Sequence, residues 1–126
     1  MKKELIGMDH HVEVIENIFA LLETMKEAIH HTKIQVKEMR YEDAVGLIKD
    51  VLHGIESINH ALQSILPNLP ENHLEKNGLN VLKSISRTVE HYHHGEMTND
   101  DVLQIRTNFS VWKRELEALL KDYVMA

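Results

Sequence analysis

Apolar residues return at intervals of three and four along nearly the whole chain. No stretch alternates apolar and polar residues in the manner of a strand, and no Asn-Gly or Asp-Gly turn joins two such stretches. Asn77-Gly78 sits inside a helical pattern. The first helical stretch runs from about Asp9, a suitable N-cap, to Met39. Ile15, Leu22, Ile29 and Val36 form one row, and Ile18, Met25, Thr32 and Met39 the next. Val14, Leu21 and Ala28 add a third, so this face is wider than a two-helix seam needs.

A weak break at Arg40-Tyr41-Glu42-Asp43 precedes the second stretch. Its face holds Ala44, Leu47, Ile48, Val51, Ile55, Ile58, Leu62, Ile65 and Leu66. Gly54 interrupts it at a cost of about 1 kcal/mol relative to alanine; it is either merely tolerated or lets a neighbouring helix come close. Pro67-Asn68-Leu69-Pro70 ends the second helix, because proline cannot continue the hydrogen-bond ladder. The third stretch presents Leu74, Leu82, Ile85, Val89 and Tyr92 and closes at Gly95, placed as a C′ residue. Thr98, with Asp101 three residues on, opens the fourth in the manner of a capping box. Val102, Ile105, Phe109, Trp112, Leu116, Leu119, Leu120 and Tyr123 complete its stripe.

These elements predict one all-α domain spanning 1–126, an antiparallel up-down-up-down four-helix bundle with helices at about 9–39, 42–66, 71–94 and 98–123. A first helix of about 30 residues would be about 45 Å long and outlast its partners. It must overhang, bend or break. No internal repeat points to a solenoid.

Charge narrows the partners. Fourteen Lys and Arg against twenty Asp and Glu give a net charge of −6, with no basic block. This disfavours nucleic acid and anionic membrane surfaces as partners. No apolar run reaches the span of a bilayer and no secretory leader is recognisable, so a cytoplasmic protein is expected. Cysteine is absent, which excludes thiol catalysis and cysteine-based zinc sites. Protonating all ten histidines would carry the charge from −6 to +4, so solubility and association should respond to mild acid.

Metal chemistry has two candidate placements. Glu27-x-x-His30, Asp50-x-x-His53 and Glu90-x-x-His93 have the spacing of bundle-core di-metal ligands. On a helical wheel, however, Glu27, His53 and His60 point away from their apolar faces, and Glu90 and His93 lie at a flank. A buried site therefore fails on geometry. Glu90, His91, His93 and His94 crowd the end of the third helix and could bind Zn²⁺ or Ni²⁺ at the surface. The simpler reading makes them solvated histidines at the negative end of a helix dipole. The adjacent pairs His10-His11 and His30-His31 diverge on a helix and cannot chelate as pairs.

Catalysis has little support. There is no Gly-x-Ser-x-Gly and no glycine-rich phosphate loop, and Ser84, Ser86 and Ser110 lie in helices without an evident base. No catalytic residue and no cofactor is expected. Phe109, Trp112 and Met25 read as core. What remains is the wide face of the first helix. Either the bundle covers it, or a homodimer or protein partner does, through Val14, Leu21, Met25 and Ala28.

Tyr41-x-x-Ala44, Leu47-x-x-Asp50-Val51-x-x-Gly54-Ile55-x-x-Ile58, Leu66-Pro67-x-Leu69-Pro70 and Phe109-x-x-Trp112-x-x-Glu115-Leu116 together resemble uncharacterised small helical proteins of Bacillus-type bacteria. The resemblance spans about residues 12–124 and implies a cytoplasmic bacterial domain of unknown function, with no site residues to transfer. The expected role is a non-enzymatic interaction module. The alternatives are a metal- or pH-responsive protein using the histidine cluster, and a small assembly or export chaperone by analogy of fold.

Overall fold

Packing of the four apolar faces yields four helices: α1 (Lys2–Lys37), α2 (Tyr41–Ile65), α3 (His73–His93) and α4 (Asn99–Val124). The computed structural model describes residues 2–65 and 73–124, and side chains within 11–65 and 74–122. The break at Pro67-Asn68-Leu69-Pro70, and the expected core side chains of Leu66 and Tyr123, lie outside the described residues. α1 packs on α2 and α4, and α3 packs on α4 and more thinly on α2. The helices therefore follow one another around the core in chain order. Met25 of α1 meets Gly54 of α2, Lys113 of α4 meets Glu23 of α1, and Asn108 of α4 meets Ser84 of α3.

The heptad rows of α1 become the core. Ile15, Leu22, Ile29 and Val36 are buried, as are Ile18, Met25 and Thr32. They meet Ile48, Val51, Ile55 and Ile58 of α2 and Ile105, Phe109, Trp112 and Leu116 of α4 in one cluster. α3 departs from expectation. Leu74 and Ile85 are buried, but Leu82, Val89 and Tyr92 are only half-buried. The centre of its inner face is instead Gly78, Val81, Ser84 and Thr88. Ser84 and Thr88 can sit there because each hydroxyl donates to the carbonyl four residues back, Asn80 O at 2.9 Å and Ser84 O at 2.8 Å. Asn108 of α4 then donates to Ser84 Oγ, tying the two helices together.

Two helix ends share one geometry. At the close of α3, Gly95 has φ 70°, its N–H donates to Tyr92 O, and Glu96 N donates to His91 O. This is a Schellman cap with glycine at C′, as the sequence predicts. At the close of α1, Arg40 N donates to Gln35 O and Met39 N to Val36 O. Here the C′ residue is Met39, with φ 62° and 73% exposure. The expectation that Met39 continues the second apolar row is thus corrected: the helix ends at Lys37 and turns the side chain outward.

α1 is one unbroken helix of 36 residues, about 54 Å long. The register that seats Met25 on Gly54 brings Ile65 to the level of Val14. α1 therefore overhangs the end of α2; it does not break to fit it.

Candidate functional site

A groove of 640 Å³ runs between α1 and α4. Its floor is Ile29, Val102 and Phe109, which belong to the core. Its walls are two stripes of equal helical spacing. α1 contributes Lys26, His30, Lys33 and Lys37; α4 contributes Asn99, Leu103, Arg106 and Ser110. Each set is spaced i, i+4, i+7 and i+11, so each stays on one side of its helix. Leu103 is 51% exposed in the wall. Ile34 is 40% exposed on α1 but does not line the groove.

The groove inverts the charge balance of the chain. Lys26, Lys33, Lys37 and Arg106 face Glu23, Glu27 and Asp100, giving +1 with His30 and His31 neutral, in a protein of −6. Among the described residues, none of these four cations forms a salt bridge or hydrogen bond. Lys26 acts on Glu23 only at longer range.

One end of the groove is braced. Lys113 Nζ lies 3.0 Å from Glu23 Oε1 and 3.1 Å from Glu117 Oε2. Burial works against the Lys113 charge, but hydrogen bonds and the charges of both glutamates outweigh it and hold the ammonium above its ordinary value. The hydrogen bond from Lys113, and then its charge, hold the Glu23 carboxyl below its ordinary value. This bridge ties α1 to α4.

The residues singled out from sequence fall differently. Met25 is 2% exposed and packs on Gly54, so it cannot form a surface contact; the expectation that it does is corrected. Val14, Leu21 and Ala28 are half-buried against the core. The third row of α1 is thus largely taken up within the bundle. At the α3 end, Glu90, His93 and His94 are exposed, whereas His91 Nδ1 lies 2.8 Å from Asp101 Oδ1. Asp101 is buried, and its other oxygen accepts from Thr98 N at 2.9 Å. His91 therefore serves the α3–α4 corner. Among the described residues no three His, Asp or Glu come together as metal ligands. Glu27, His53 and His60 are exposed, as their wheel positions require.

The groove as a whole is not legible in sequence because its signal spans two stripes that lie 73 residues apart in the chain, as Lys26 and Asn99 do. Half of it was legible in the 26-30-33-37 stripe of α1. The α4 stripe is mixed in character and means little until it faces the other.

No described helix is long and apolar enough to cross a membrane. Comparison with curated proteins and with solved structures finds no significant match. One family model does match, over residues 13–115, a stretch that includes both walls of the groove. The chain accordingly belongs to the family described as a domain of unknown function (DUF8042).

Proposed function

We propose that the protein is a non-enzymatic, cytoplasmic interaction module that holds a polypeptide partner in the groove between α1 and α4. The observation that carries this reading is the pair of facing stripes over an apolar floor. Their charges are spread along two helices and do not converge on a point. Such an arrangement suits an elongated partner better than a small reactant, whose chemistry needs groups focused on one atom. The wide face of α1 is a weaker candidate, because Met25 is buried and its neighbours are half-buried.

A photo-crosslinking residue placed in cells at Leu103, in the groove wall, tests this against one placed at Leu79, exposed on α3. A discrete adduct at 103 and none at 79 is expected. Equal labelling at both positions, or none at 103, would overturn the reading. An adduct of twice 14.6 kDa would assign the groove to a second copy of the chain.

A further inference from the structure

The groove also specifies the chemistry of what fills it. Resting on the reading above, we infer that its occupant is an acidic amphipathic helix. Lys26, Lys33 and Lys37 sit at helical steps along one wall, about 10 Å and then 6 Å apart along the axis. Arg106 faces them from the other wall. Carboxylates at i, i+7 and i+11 of a helix lying alongside repeat at the same intervals, whereas an extended strand repeats its side chains every ~7 Å on each face. The wall runs for about 16 Å, three turns of a ligand helix. A compact anion such as phosphate would reach one or two of these cations and leave the rest.

The apolar half of the contact is also present. Leu103 stands exposed between Asn99 and Arg106, over the floor of Ile29, Val102 and Phe109. A leucine stripe on the incoming helix would cover Leu103, with its acidic flank turned to the lysine wall. The seam between two antiparallel helices is where a further helix packs by ridge and groove. A second copy offers no such helix from its described bundle, since α1 to α4 already bury their apolar faces against one another.

The probe is a labelled helical peptide of about five turns, with a leucine stripe and glutamate flanks, titrated by fluorescence anisotropy. Controls are the same peptide with lysine flanks, a version broken by central prolines, inorganic phosphate and a single-stranded DNA oligonucleotide. The glutamate peptide should bind the full chain in low salt. Binding should weaken at least about tenfold with Lys33→Glu plus Lys37→Glu, and similarly with Leu103→Glu. Lys37 and Leu103 are exposed and Lys33 is half-buried on the groove wall, so circular dichroism of the variants should match that of the parent. Equal binding of the lysine peptide would overturn the acidic assignment and leave the groove reading intact. Equal binding of the proline-broken peptide would overturn the helix. Tighter binding of DNA or phosphate, or no binding of any peptide, would overturn the inference outright. The crosslink at 103 judges the groove separately.

Discussion

The side chain of Met25 occupies the place where a Cβ on Gly54 would stand: its sulfur lies 2.6 Å, and its Cγ 3.0 Å, from that point. The glycine thus lets the methionine pack between α1 and α2, where it is buried. Gly54→Ala gains about 1 kcal/mol of helix propensity but incurs overpacking of about 1–3 kcal/mol. A net loss of about 1 kcal/mol is expected. Met25→Ala alone should cost about 2–5 kcal/mol. In that background Gly54→Ala has room, and its sign should reverse to a gain of about 1 kcal/mol. Urea titrations of all four proteins, followed by the single buried tryptophan, Trp112, would read this cycle. Additivity would show that the two residues do not meet.

Asp101 should matter more than the histidine it pairs with. Its carboxylate accepts from Thr98 N, Thr98 Oγ1 and His91 Nδ1 in a buried corner. Asp101→Ala leaves the Thr98 N–H without its acceptor and should cost about 2 kcal/mol. Asp101→Asn keeps an acceptor and should recover most of that loss. His91→Ala should cost less than about 1 kcal/mol, because the ring is 37% exposed. Equal losses for the two alanine variants would mean that the capping bond contributes little.

The bridge between α1 and α4 has a defined pH window. Glu23 titrates below its ordinary 4.5 in the folded protein, so its contribution is complete above that value. It is lost as the pH falls through the folded value. Lys113 titrates above its ordinary 10.5, so its contribution is complete below that and is lost as the pH rises through the folded value. The stability difference between the parent and Glu23→Gln should therefore be flat near neutrality and shrink in acid below 4.5. Added salt should also shrink it, since Glu23 is exposed. A difference that grows in acid would contradict the bridge. The measurement is urea unfolding at stepped pH.

Periodicity made most of the fold legible. The α1 rows at 15-22-29-36 and 18-25-32 are buried because a helix that packs on two neighbours must turn those rows inward. The same holds for the α4 stripe from Val102 to Leu120, apart from half-buried Leu119. Where hydrophobicity and burial part company, the pattern misled. Ser84 and Thr88 are buried because their hydroxyls are satisfied by their own helix, which apolar spacing does not register. The groove was illegible for another reason. Lys33 and Arg106 read as ordinary solvated charge until the bundle sets their helices side by side.

The end of α1 was the other surprise, and it gives the last prediction. Met39 holds a left-handed backbone that Gly95 holds at the equivalent place in α3. For a residue with a Cβ that conformation costs about 1–2 kcal/mol, and glycine escapes it. Because the methionine side chain is 73% exposed, removing it forfeits little packing. Met39→Gly should therefore stabilise the bundle, by about 0.5–1 kcal/mol once the greater freedom of glycine in the unfolded chain is set against the relief. Gly95→Ala should destabilise it by about 1 kcal/mol by the same argument, although a Cβ there meets no atom within 4 Å. Opposite signs in thermal melts of the two variants would show that backbone conformation decides both ends. A loss in Met39→Gly would mean instead that the exposed methionine makes a contact whose removal outweighs the strain.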